Sequence, residues 1–357
     1  MSGSFSVIYT VKNEEKNLPK AIEYYKALGA KKIFVFWDGT TDNSPEIIKD
    51  DIIVSSRNSI QPEEFKELFG INYPKWFDTL IDNWDIKFDF RKRINTMYAA
   101  KLTRELGIEW MLSPDPDELI YFFEKEEFGP NQFQKILTDT APNIDQVLLR
   151  NMEAVPTEVG KEHPFIDIKY FVNRFPITEF FNRAFKTILR FSKIPAGTID
   201  LLDHYFFRAR FQGLYPRPII NPLDGNKIHR SLYIGYRGYK PIIRVRDYQC
   251  FIFNTHYWQS NTKKIKSIIR GNILHYDICD SSEYKNKFKQ RHIKTIDQGY
   301  NVRTSLGWIA IELDSVALAN FFESQIVLKN EELLDLLVKK KILRRVKQIS
   351  DFYQRKQ

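Results

Sequence analysis

A chain of 357 residues with 43% hydrophobic content can bury a substantial core, which excludes a disordered protein and allows two average domains or one large α/β domain with additions. The net charge of +9 fits an anionic substrate, an anionic membrane surface or nucleic acid without choosing among them. Two cysteines, Cys250 and Cys279, make neither a disulfide framework nor a zinc site, and no run of about 18 uncharged apolar residues or cleavable leader is present, so a soluble, unprocessed, cytoplasmic protein is expected.

In chain order, "SFSVIYTV" reads as a strand, and the helix after it carries Leu18, Ala21, Ile22, Tyr25 and Leu28 at helical spacing. Asn13 is the expected N-cap, Glu14 and Glu15 suit the first turn, and Gly29 is the expected stop. "KKIFVFWDGTTDNS" is a second strand that ends abruptly in Asp38 and a polar turn. Strand, helix, strand with short connections is a βαβ unit, which calls for a parallel sheet. Residues 50–90 show no clean period and read as a loop-rich excursion. "FRKRINTMYAAKLTRELGI" follows as a helix stopping at Gly107, and "EWMLS" is a third short strand. "DQVLLRNMEAVP" is a further strand, and the stretch from "RPIINPLDGNKIHR" onward suggests hairpins with a turn at "DGN". The last segment, from about Asn320, reads as helical, with Asn330 as a cap and a basic face. That face suits either packing on the sheet or docking on an anionic membrane.

"EWMLSPDPDELI" places Asp115, Asp117 and Glu118 between apolar runs. Unpaired carboxylates are costly away from water, so a positive partner is expected there. In open α/β sheets ligands bind beyond the carboxyl ends of the parallel strands, and Asn13, Glu14, Asp38, Asp42, Asp115 and Asp117 all fall on that edge. Asp-x-Asp in a turn lets two carboxylates reach one hard cation, Mg²⁺ or Mn²⁺, with a diphosphate supplying further ligands. Pro116 stiffens the turn.

The stretch from Val7 to Ser44 resembles the opening of family-2-type glycosyltransferases, and "EWMLSPDPDELI" is similar to their Asp-x-Asp segment. "NTHYWQSNTKKIKSIIRGN" is similar to a segment of the subgroup related to the family-92 transferases. The resemblance covers residues 5 to about 120 and 250 to 272. It implies an α/β, Rossmann-like nucleotide-diphosphosugar transferase of the A-type fold, with a mainly parallel central sheet, a catalytic domain over residues 1–260 and a mainly helical C-terminal extension over residues 261–357. It further implies a metal-dependent hexosyltransferase, usually inverting, that moves sugar from a nucleotide-diphosphate donor, UDP- favoured over GDP-, to a glycan or lipid-linked acceptor. Carried over by position, Asn13, Glu14 and Asp38 match donor base and ribose holders, and Asp115 and Asp117 match the metal motif. His256 matches a late ligand to metal or diphosphate, its alternative being a hydrogen-bonded histidine at a strand end. Arg93, Arg270 and Lys186 are the basic residues that would oppose the donor phosphates. Trp37 and Thr40 depart from the family's usual turn.

Inversion requires a general base opposite the leaving diphosphate. Asp203 in "LLDHYFF" is the first candidate, with Glu118, Glu153 and Glu179 as competitors. Aromatics between Phe165 and Phe211 suggest an acceptor platform, or core strands flanked by solvated basic residues. Two rival readings remain at this stage. A metal-dependent nucleotidyltransferase usually has a Gly-rich phosphate loop near its first strand, which is missing here. A basic, aromatic polysaccharide- or RNA-binding module leaves the Asp-x-Asp unexplained, because acidic clusters repel phosphate unless a metal intervenes. The C-terminal helices are the expected means of any peripheral attachment at the inner membrane face.

Overall fold

A computed structural model describes residues 3–69, 76–123, 128–160, 162–173, 210–211, 213–215, 217–228, 239–250, 252–254, 256–260, 262–290 and 302–355. The chain divides into two compact units, Met1–Asn151 with Arg237–Ile273, and Met152–Tyr236 with Leu274–Gln357. The boundary expected at residue 260 falls inside the first of these.

The first unit is built from β1 (Phe5–Val11), α1 (Asn17–Ala27), β2 (Lys32–Trp37), α2 (Ser44–Ile48), β3 (Val54–Asn58), α3 (Pro62–Phe69), α4 (Trp76–Asp82), α5 (Phe88–Glu105), β4 (Trp110–Leu112), β5 (Glu118–Tyr121) and the start of β6 (Gln146–Val155). The strand Tyr239–Arg244 completes the row, in the order β6, Tyr239–Arg244, β4, β1, β2, β3. β1 runs parallel to β2, with Val7 opposite Ile33, and parallel to β4, with Val7 opposite Leu112. β2 runs parallel to β3, and Tyr239–Arg244 is antiparallel to both β4 and β6. This is a mixed α/β sheet whose part β3-β2-β1-β4 is parallel, as the βαβ reading expects, while the remaining strands of the row pair antiparallel.

Every residue of β1 is buried, which is why its sequence is almost unbroken apolar instead of alternating. Helices α1 and α5 stop where expected. Gly29 (φ 90°) lets its N–H reach Lys26 O at 2.9 Å while the Ala30 N–H reaches Tyr25 O at 3.0 Å, and Gly107 (φ 68°) ends α5 in the same way. The 50–90 stretch is not a plain loop. It holds β3, α3 and α4, with Phe65 and Phe77 packed on each other at 4.6 Å and buried in the core beside Ile60 and Ile94. These elements are too short to show a period, which hid them in the sequence.

In the second unit, Leu343–Arg345 pairs antiparallel with Tyr170–Val172, which pairs with the end of β6. Ile219–Ile220 and Lys227–Ile228 form the expected hairpin, turning at Gly225 (φ 73°). The tail is not helical throughout. Helix Glu331–Lys339, capped by the Asn330 side chain on the Leu333 N–H at 2.8 Å, gives way to the strand Leu343–Arg345 and then to helix Gln348–Gln354. Lys341 takes a left-handed φ of 57° at the break, and Ile342 and Leu343 turn into the core. The apolar side of Glu331–Lys339 is likewise committed inward through Leu334 and Leu337. No helix among the described residues is long and apolar enough to cross a membrane.

Candidate active site

Because β1, β2 and β4 are parallel, the turns after Val11, Trp37 and Leu112 leave the sheet at one edge. At that edge Asn13 adopts φ 56°, a conformation asparagine tolerates better than most residues. Its Oδ1 accepts the backbone N–H groups of Thr41 at 2.7 Å and Asp42 at 3.3 Å. The Glu15 N–H returns to Asp42 Oδ2 at 3.0 Å, and the Glu14 N–H to Ser44 Oγ at 3.2 Å. Asn13 therefore clasps two loops together, and it does not cap α1, which begins four residues later without a side-chain cap.

Asp38 closes the end of β2 with its side chain only 4% exposed. Arg91, from α5, donates through Nε to Oδ1 at 2.6 Å and through Nη2 to Oδ2 at 2.9 Å, a bidentate pair. The same guanidinium reaches the carbonyls of Trp84 and Asp85 and lies over the Trp84 ring. Ser59 Oγ also donates to Asp38, Asn95 Nδ2 donates to Ser59 Oγ and to Thr10 Oγ1, and the Ile60 N–H ends on Asn95 Oδ1. A continuous buried polar network thus ties β1, β2, the end of β3 and α5 together beneath the edge.

The Asp-x-Asp turn has its own cations. Lys240, fully buried on the strand Tyr239–Arg244, donates to Asp115 Oδ2 at 2.8 Å and lies 3.0 Å from Glu118 Oε2. Lys92, from α5 and 3% exposed, takes Asp115 Oδ1. The Asp115 N–H bonds Glu118 Oε2 at 2.7 Å, and the Glu118 N–H bonds Asp115 O at 3.0 Å. Burial alone would raise the Asp115 pKa, but the ammonium charges of Lys240 and Lys92 outweigh it and hold the carboxyl well below its usual range. Burial would lower the Lys240 pKa, yet Asp115 and Glu118 drive it above the ordinary lysine value. Glu118 is completely buried, with Oε2 held by Lys240 and the Asp115 N–H, so it braces the turn beneath the surface where an acceptor would sit.

His256 follows the strand Ile252–Asn254; burial first, then the charge of Lys240, lowers its pKa to about 4, so the imidazole is neutral near pH 7. Arg93 donates through Nε to Phe253 O at 2.8 Å. Arg270 lies half-buried on the strand Ser267–His275, and Asp117 is partly exposed in the turn. Of the expected metal set, Asp115 does not fit a cation: both of its oxygens already face ammonium groups. Asp117 keeps the hard oxygen chemistry that suits Mg²⁺ or Mn²⁺.

In the second unit, the buried Glu153 meets His275 Nδ1 at 2.8 Å, and His275 and Asp277 offer ligand atoms within 4.8 Å of each other. Phe165 and Phe171 are fully buried and pack on Tyr276, so they offer no exposed sugar platform. Asp203, Glu179 and Lys186 lie outside the described residues. Sequence reasoning passed over Arg91, Lys92 and Lys240. The signals were three consecutive cations near the start of a helix, where the dipole favours acids, and a lysine inside an apolar strand.

No protein-family model matches the chain. A glycosyltransferase-like protein of Arabidopsis thaliana is 24% identical over 166 residues, 45% of this chain and 36% of that protein, so the match spans about a third of the relative's length. Among solved structures, glucosyl-3-phosphoglycerate synthase from Mycobacterium tuberculosis, in complex with Mn²⁺, UDP and phosphoglyceric acid, is 15% identical over 42% of this chain and 43% of its own, with a TM-score of 0.25. The mannosyltransferase Ktr4p from S. cerevisiae is 14% identical over 44% and 42%, also at 0.25.

Proposed function

We propose that this chain is a glycosyltransferase of the A-type fold that moves a sugar from a nucleotide-diphosphate donor, uridine favoured as the base, to a glycan or lipid-linked acceptor. The observation that carries the reading is the convergence of three polar turns at the carboxyl edge of the parallel β3-β2-β1-β4 sheet, the third being the Asp-x-Asp turn. The similarity to the plant glycosyltransferase-like protein supports it.

In this reading the clasped Asn13–Glu15 and Thr41–Ser44 loops form the floor for the nucleoside, with Asp38 acting through Arg91 to hold that floor rigid. A preformed floor lowers the ordering cost of donor binding. Asp117 is the proposed protein ligand for a divalent cation, whose chemistry when bound is to neutralise the leaving diphosphate. The neutral His256 imidazole can accept a hydrogen bond at the same edge or serve as a nitrogen ligand. Transfer joins the acceptor oxygen to the anomeric carbon as the bond to the diphosphate breaks, and the hydroxyl proton passes to a base. Asp203 is the proposed base, with inversion as the stereochemical outcome.

The test is calorimetric titration of UDP and of GDP into the protein, each with Mn²⁺ and with EDTA. Cation-dependent binding of UDP that disappears in Asp117→Ala is the expected result. Absence of binding by either nucleotide under both conditions would overturn the reading.

A further inference from the structure

We infer that Asp115, with 37% of its side chain exposed, is the counter-ion of two buried lysines and not a cation ligand, and that Lys240 is the positioning residue that sets the Asp-x-Asp turn. The sequence presents Asp115 and Asp117 as equivalent halves of one motif; the structure gives them different work. Each Asp115 oxygen faces its own ammonium, Lys92 on Oδ1 and Lys240 on Oδ2. With Glu118, the group holds two carboxylates and two ammonium ions, so its formal charge is already zero. A divalent ion on the same oxygens would stand beside two cations with 3% and 0% of their side chains exposed, which cannot swing into water to make room.

The ring is also closed through the backbone. Lys240 joins the Asp115 side chain to the Glu118 side chain, Glu118 accepts the Asp115 N–H, and its own N–H returns to the Asp115 carbonyl. Residues 115–118 are thereby held at both ends, with Pro116 restricting the middle. The ring fixes the backbone from which Asp117 projects. Lys240 comes from an antiparallel strand 125 residues away, so the turn is correct only when the sheet is complete.

The cation part of this inference rests on the proposed transferase reading; the counter-ion part does not. The experiment titrates Mn²⁺, in the presence of UDP, into the full chain and its variants, following unbound Mn²⁺ by electron paramagnetic resonance. Asp115→Asn is expected to keep the Mn²⁺ Kd within about threefold, while Asp117→Asn weakens it by about tenfold or more. Lys240→Met is expected to weaken Mn²⁺ through the misplaced turn, with Lys240→Arg restoring part of the loss. In parallel, urea unfolding of Asp115→Asn, Lys240→Met and the double variant should show coupling of about tenfold or more in the unfolding constant. Equal loss of Mn²⁺ binding in Asp115→Asn and Asp117→Asn, or additive unfolding effects, would overturn the inference. If the wild type takes up no Mn²⁺, the cation reading falls and the unfolding cycle alone decides the counter-ion role.

Discussion

Neutralising Asp38 by Asp38→Asn keeps the side chain's shape and removes its charge, which isolates the ion pair with Arg91. The carboxylate is 4% exposed and the guanidinium 17%, so neither partner gains much water when the pair is broken. Removing one side of a buried pair costs about 3–5 kcal/mol. The guanidinium keeps its bonds to the Trp84 and Asp85 carbonyls and its contact with the Trp84 ring, and Asn can still accept one hydrogen bond. These residual contacts reduce the expected cost to about 2–3 kcal/mol. For a unit of roughly 150–250 residues each kcal/mol moves the midpoint by about 2–4 °C, so Tm should fall by roughly 5–10 °C. Differential scanning calorimetry at pH 7 reads this directly, with the exposed Asp50→Asn as a control that leaves Tm in place. Part of the loss should spread to the Ser59–Asn95–Thr10 network, since Ser59 Oγ donates to Asp38 and accepts from Asn95 Nδ2, which also donates to Thr10 Oγ1. A Tm within about 1 °C of wild type, together with lost UDP binding, would refute the reasoning and place Asp38 against the donor itself.

Two further outcomes follow from single positions. Gly271 has φ 80°, and a Cβ built there would lie 2.5 Å from the buried Phe122 ring, so Gly271→Ala should destabilise by about 2–4 kcal/mol in urea unfolding. The additional substitution Phe122→Leu should recover part of that loss by relieving the clash; no recovery would mean that backbone conformation alone sets the cost. Acid titration should show two separate losses of stability. The folded-state pKa of His256 is about 4, below its ordinary 6.5, so the unfolded chain takes up that proton first and stability falls from pH 6.5 down to about 4. The lowered pKa of Asp115 gives stability that is full above the ordinary carboxyl value of 3.8 and is lost as pH falls below it. His256→Asn should remove the upper loss and leave the lower one; an unchanged upper limb would assign it to another group.

The legible part of this fold was the part whose signals are local. β1, α1 and β2 were readable because a buried central strand is continuously apolar and a helix stop at Gly29 needs a left-handed residue. The 54–82 elements were not readable, because helices and strands of a few residues do not complete a period, and they are held by tertiary contacts such as Phe65–Phe77 and the pairing of β3 with β2. The tail misled for the opposite reason: its apolar residues continue at helical spacing past Lys339, while the break is made by one left-handed residue, Lys341, that carries no glycine signal. The edge of the sheet was readable as a place, since each parallel strand ended in polar residues.

Which of those polar residues face inward depends on pairings between distant segments, and these leave no local trace. Asp38 meets a guanidinium 53 positions later, and Asp115 meets ammonium groups 23 positions before it and 125 after it. The surplus negative charge that makes the Asp-x-Asp turn conspicuous is matched by cations that look, in sequence, like ordinary surface residues of a basic chain. A charged side chain within an apolar strand, such as Lys240, is the exception that can be recognised. It is expensive unless paired, and its partner must come from a strand or turn beside it in the sheet. Here the partners are Asp115, in the turn that follows β4, and Glu118, which opens β5; β4 is the strand directly paired with Tyr239–Arg244. The opposed charges therefore act as a register mark. Sliding Tyr239–Arg244 by one residue along β4 would put Lys240 on the other face and leave Glu118 buried against no cation from that strand.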